Sequence, residues 1–141
     1  MISSLVVANK IIELCNNKQV EINHLKLQKL LYFVQDAYFK KYDERLFGSR
    51  IEAWKLGPVV VDIYHLFKGY GPISIPKNNI HQTPTNSLNP TQLDIIQNVV
   101  NQLGGKTPKE LVDITHDPKE RWINFYDDND QGREIIFEQQ K

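Results

Sequence analysis

Four histidines, one cysteine and a tight run of carboxylates are the side chains of this 141-residue sequence whose types catalysis or metal binding would need. His24, His65, His81 and His116 are scattered, and none stands in an HExxH pattern or beside a second His or Cys at zinc spacing, which argues against a metal site. His116 and Asp117 adjoin, but neighbours at a helix-to-helix corner serve more often as a last-turn cation and an N-cap than as a catalytic pair. Cys15 would need activation to be a nucleophile, whereas its place on an apolar stripe marks a small buried residue. The run Asp127-Asp128-Asn129-Asp130 lacks the glycine and glutamate spacing of a calcium loop, so a solvated acidic turn is expected. No Ser or Cys is accompanied by both a base and an oxyanion motif, which leaves a hydrolase only His116 with a carboxylate to work with. The expectation is a protein without catalytic residues, metal or cofactor.

Glycines bracket a short apolar segment in EAWKLGPVVVDIYHLFKGYGP, residues 52 to 72, and such glycines either cradle a phosphate or set corners. Neither GPVVV nor GYGP is GxxxxGK[ST] or GxGxxG, and Pro58 removes a backbone donor that an anion cradle would use. The corner reading is preferred. It places Pro58 in the first turn of a helix starting at Val59, with Gly69 as its stop and positive φ permitted at Gly69 and Gly71.

The elements that must hold these residues follow from periodicity. Leu5, Ala8, Ile12 and Cys15 share one side of a helix from Ser4 to the Asn16-Asn17 break. Asn23 is a good N-cap for HLKLQKLLYFVQDAYFKKY, where Leu27, Leu30, Leu31, Val34 and Tyr38 form the core stripe and Tyr32, Phe33, Ala37 and Phe39 widen it. A helix this apolar crosses the middle of a domain, with Lys26, Lys29, Lys40 and Lys41 expected to reach water along its margins. Gln28, Tyr32 and Gln35 lie on one line of its surface and make either a binding groove or, preferably, an ordinary hydrogen-bonded edge. RIEAWKL suits a short strand before Gly57-Pro58.

Residues 70 to 89 are rich in Pro, Asn, Ser and Thr and read as a mobile loop with a brief extended piece at Ile73 to Ile75. Three helix starts follow, at Asn89-Pro90, Thr107-Pro108 and Asp117-Pro118, the second with a Thr107 and Glu110 capping box and the third carrying Trp122, Phe125 and Tyr126. Ile135, Ile136 and Phe137 suggest a short strand pairing near residues 50 to 55. The fold class expected is mainly α, a single compact helical domain over 1–141 of about six helices with a small antiparallel β element.

Composition bounds the function. Seventeen Lys plus Arg balance seventeen Asp plus Glu, so no net field draws a polyanion and nucleic-acid binding is unsupported. A chain of this length buries roughly 68–70% of its unfolded surface and needs no disulfide. The lone cysteine and an N-terminus, MISSLVVANK, without the features of a signal peptide predict a cytoplasmic protein. No apolar run approaches the roughly 20 residues that span a bilayer.

Three separated stretches, KLQKLLYFVQDAYFKKYDERLF, IEAWKLGPVVVDIYHLFKGYG and ELVDITHDPKERW, together resemble the Panacea domain, the family of phage-associated GepA-like proteins and SocA-like antitoxins. The likeness covers roughly residues 4 to 127. It departs in the third stretch, where Arg121 rather than Pro precedes Trp122. The resemblance implies a helical, non-enzymatic, cytoplasmic domain that binds a protein partner, often a toxin encoded by a neighbouring gene, and neutralises it by masking or by presentation to a protease. A phage or prophage protein that inhibits a host defence complex is the alternative partner biology, and a homo-oligomer is compatible with either. Because aromatic side chains dominate interface hot spots, the candidate partner-binding residues are Trp54, Tyr64, Tyr70 and Trp122, joined by Lys55, Lys68 and His116; core packing is the competing role for each.

Overall fold

The computed structural model describes residues 1–138, so the last three positions of the predicted tail, 139–141, lie outside the described residues. Helix α1 is Ser4–Asn17 and α2 is His24–Tyr42, capped by Ser3 and by Asn23, whose side chain accepts from the Lys26 amide. Strands β1 (Ile51–Trp54) and β2 (Gly57–Val60) form an antiparallel hairpin that runs directly into α3 (Val61–Phe67) and a single 3-10 turn, Lys68–Tyr70. Helices α4 (Pro90–Leu103), α5 (Pro108–Thr115) and α6 (Trp122–Phe125) follow. The fold is mainly α with a small antiparallel β element, as the sequence predicts.

Helix α2 is the central element and packs against α1, α4, α5, α3 and β2. Its stripe of Leu27, Leu30, Leu31 and Val34 is fully buried and meets Val7, Ala8, Ile11 and Ile12 of α1 and Ile96 and Val100 of α4. Cys15 belongs to this cluster at 0% exposure, and burial raises its thiol pKa. The starts of α4 and α5 are both complete capping boxes, Asn89 with Gln92 and Thr107 with Glu110, each with Pro in the first turn. The connection from Gly71 to Asn89 carries no helix or strand, yet it is tied to α1: Asn79 bonds Asn9, Asn9 donates to the His81 carbonyl at 3.1 Å, and Ile75 is buried.

Several expectations are corrected. Gly57-Pro58-Val59-Val60 is a strand, not the corner and first turn of a helix: Pro58 faces Ala53 across the hairpin, and α3 begins only at Val61. Proline fits there because its missing N–H leaves no gap where β2 runs beside α2. The helical segment ends at Gly71 (φ +58) through the 3-10 turn, and Gly69 does not take positive φ. Asp117-Pro118 opens a turn instead of a helix, because the Asp117 carboxylate accepts from the Lys119 amide two residues on; the helix with Trp122 is only one turn long. Lys26 and Lys29 do not reach water: they are 4% and 0% exposed. The tail returns to β1 but Ile135, Ile136 and Phe137 form no strand: the Ile135 amide donates to the Ile51 carbonyl at 2.8 Å and an isolated bridge joins Glu52 and Glu134.

Candidate functional site

Three sequence-distant segments meet at Lys29. The helix α2 that carries it is buried around most of its middle turns, and Leu25, Tyr32 and Phe33 stand at the i−4, i+3 and i+4 positions of Lys29. The aliphatic stem is therefore driven inward, and Nζ donates to the Pro58 carbonyl of β2 at 2.9 Å. Its neighbour Gln28 accepts from the Val60 amide at 2.6 Å, so two α2 side chains satisfy the backbone of the β2 edge. Gly57 makes the approach feasible. A Cβ there would lie 2.7 Å from Thr115 Oγ1 and 2.9 Å from Lys29 Cε, and φ is +112.

Burial alone pushes the Lys29 ammonium pKa down to about 7, since no carboxylate pairs with it among the described residues. His24 and His116 are both lowered by burial first and by the Lys29 charge second. The result is a fully buried amine, with no ion-pair partner among the described residues, flanked by two partly buried imidazoles, of which His116 also feels the opposing charge of Asp113. Beside it opens a cavity of about 370 Å³ walled by Leu25, Trp54, Leu56, Val59 and Tyr64, with His24, Gln28 and Lys29 also in its lining.

The structure brings some of the sequence candidates together here. Trp54 and Tyr64 pack edge to face at 4.8 Å between centroids, both half-buried, with Lys55 at the cavity rim and Lys68 Nζ 5.8 Å from the Tyr64 ring. Trp122 and His116 stand behind this face. Trp122 is 8% exposed and donates from Nε1 to the Trp54 carbonyl at 2.6 Å, and the His116 ring stacks on it at 3.8 Å. Tyr70 is elsewhere, stacked on Phe67 against the core. Leu56, 54% exposed at the hairpin turn, belongs to the face but was absent from the sequence candidates, because only the hairpin lifts it beside Trp54.

The line of Gln28, Tyr32 and Gln35 is a buried scaffold. Gln35 donates to the Phe47 carbonyl at 2.7 Å and accepts from the Leu46 amide at 2.8 Å and the Phe47 amide at 3.2 Å, fixing the chain beyond α2. Tyr32 donates to Glu120 and accepts from the Arg121 amide, while Arg121 Nε meets Asp36 at 2.9 Å. No carboxylate hydrogen-bonds the His116 ring among the described residues, and no group of three His, Cys, Asp or Glu that could hold a metal is found among them. No helix of the described residues is long and apolar enough to cross a membrane.

Most of these convergent residues lie within the part of the chain that a family model matches. The family described as "Antitoxin SocA-like, Panacea domain" matches residues 27–123. The chain belongs to this family. This Panacea domain is also similar to Antitoxin SocA of Caulobacter vibrioides (strain NA1000 / CB15N), with 29% identity over 123 residues, covering 82% of this chain and 65% of that protein. The chain thus spans 65% of the length of this curated relative. No solved structure matches it. Within the Panacea domain, Lys29 lies in the first of the three stretches, Gly57 and Pro58 in the second, and Thr115 and His116 in the third, so the three stretches pack together around a buried amine.

Proposed function

We propose that this Panacea domain is an antitoxin-like, protein-binding module that neutralises a partner toxin by direct contact and performs no catalysis of its own. The observation that carries the reading is the face formed by Trp54, Tyr64 and Leu56 around an open cavity, with Lys55 and Lys68 at its rim. Half-buried aromatics held by a rigid frame, beside an exposed aliphatic group, have the composition of an interface hot spot ringed by polar groups. Trp54 is held from both sides: its indole donates to Glu52 at 2.9 Å and its carbonyl accepts from Trp122. The face is therefore formed before any partner arrives, which lowers the ordering cost of association.

The family's description and the relative's name support an antitoxin role; masking the toxin, or presenting it to a protease, are the two ways contact could neutralise it. The partner is a toxin protein of a neighbouring gene. The test is co-expression: a neighbouring open reading frame that is toxic alone should be rescued by this chain and not by its Trp54→Ala/Tyr64→Ala variant. Absence of any toxic, rescuable neighbour would overturn the proposal.

A further inference from the structure

The cavity under Trp54 and Tyr64 has an excess of hydrogen-bond donors. Gln28 is 1% exposed and spends its oxygen on the Val60 amide, which leaves Nε2 buried with no partner among the described residues. Lys29 is 0% exposed and has one acceptor, the Pro58 carbonyl, for three N–H groups. Nδ1 of His24, another polar atom of the lining, is also buried with no partner among the described residues, as a donor or an acceptor according to the tautomer. Unfinished donors of this kind are costly unless something completes them, and a native fold keeps few. The rest of the lining is Leu25, Leu56, Val59, the Trp54 and Tyr64 rings, Lys55 and Gln131, whose Oε1 already accepts from the Lys55 amide.

We propose that this cavity is a binding site for a small organic carboxylate with an apolar body. The carboxylate supplies the acceptors that Gln28 Nε2 and Lys29 Nζ lack and the negative charge that no described residue pairs with Lys29; the apolar body fills the space between Leu25, Val59, Trp54 and Tyr64. The volume, about 370 Å³, lies in the range of small-molecule sites. A carboxylate held here meets donors that are themselves buried, and a charge-assisted bond strengthens where the local dielectric is low. A neutral amide of the same shape matches the volume but not the charge, and an amine of the same shape is repelled by Lys29. The site does not depend on whether the surrounding face meets a protein.

The test is titration of the full chain by calorimetry and amide NMR at pH 6.5 with phenylacetate, indole-3-acetate and octanoate, each beside its primary amide, and with tryptamine. At least one acid should bind saturably, with shifts centred on residues 24–29 and 54–64, and about tenfold or more tighter than its amide, the ratio one charge-assisted bond supports. Tryptamine should not bind. Lys29→Met should reduce the acid-to-amide ratio to near one. Leu25→Trp, which fills the cavity from a partly exposed position and leaves both donors in place, should abolish binding of acid and amide alike. Equal affinity for acid and amide in the native protein, no saturable binding by any of the acids, or binding that survives Leu25→Trp would each overturn the proposal.

Discussion

Replacing Lys29 by Met tests whether the convergence point of the fold is a buried amine whose charged form the fold disfavours. In the unfolded chain the group titrates near its ordinary 10.5, and in the fold burial lowers it to about 7. Between those values the unfolded chain binds more protons, so native stability rises with pH through that window and the full cost of burying the amine is felt below it. At about 1.4 kcal/mol for each pH unit, that cost approaches roughly 5 kcal/mol at the acid end. Met keeps the length of the stem but leaves the Pro58 carbonyl without its donor, a penalty of about 1–3 kcal/mol that does not vary with pH. Lys29→Met should therefore be more stable than the native protein near pH 6, by about 2–4 kcal/mol, and should lose about 3 kcal/mol of that advantage by pH 9.5. Urea unfolding of both proteins across this range gives the difference directly, and groups common to both cancel in it. A difference that stays flat with pH would refute the reasoning, because it would mean that the Lys29 ammonium is solvated or paired in the fold.

Other perturbations follow from the same frame. Gly57→Ala should destabilise by about 3 kcal/mol or more in urea titration, since the added Cβ meets Thr115 and Lys29 at a φ that L residues avoid. Gln35→Leu orphans two buried amides and a carbonyl and should cost about 3–5 kcal/mol, with the Leu46 and Phe47 amides losing hydrogen-exchange protection. Cys15 should be silent to a thiol reagent in native buffer and react fully once unfolded, given its 0% exposure and raised pKa. Leu56→Asp, at an exposed turn, should leave stability within about 0.5 kcal/mol while weakening partner binding by about 1 kcal/mol or more in a titration against the neighbouring toxin.

What could be read from the sequence was local. The helix start at Asn89-Pro90, the Thr107 capping box and the core stripe of α2 are set by residues within four of one another, and the structure has them where the sequence puts them. The errors share one cause. Pro58 looks like a helix start because its place in β2 depends on Ala53 across the hairpin, and Asp117-Pro118 looks like another because the same dipeptide opens a turn when the carboxylate takes the i+2 amide. Lys29 was assigned to water as lysines usually are, yet the apolar residues at its helical neighbours carried the opposite signal. Its partner, Pro58, lies 29 residues away, and only tertiary packing supplies it. The aromatic candidates show the same limit: Trp54 and Tyr64 come together because a hairpin turns directly into α3, whereas Tyr70, equally aromatic in sequence, is drawn onto Phe67.

The central claim is that the Trp54 and Tyr64 face meets and neutralises a toxin protein. Hydrogen exchange of this chain alone and bound to the toxic product of the adjoining gene tests it most directly, combined with rescue by the Trp54→Ala/Tyr64→Ala variant. The account predicts new protection within residues 52–68 on binding, and loss of rescue by a variant that remains folded. Protection confined to other elements, or full rescue by that variant, would contradict it.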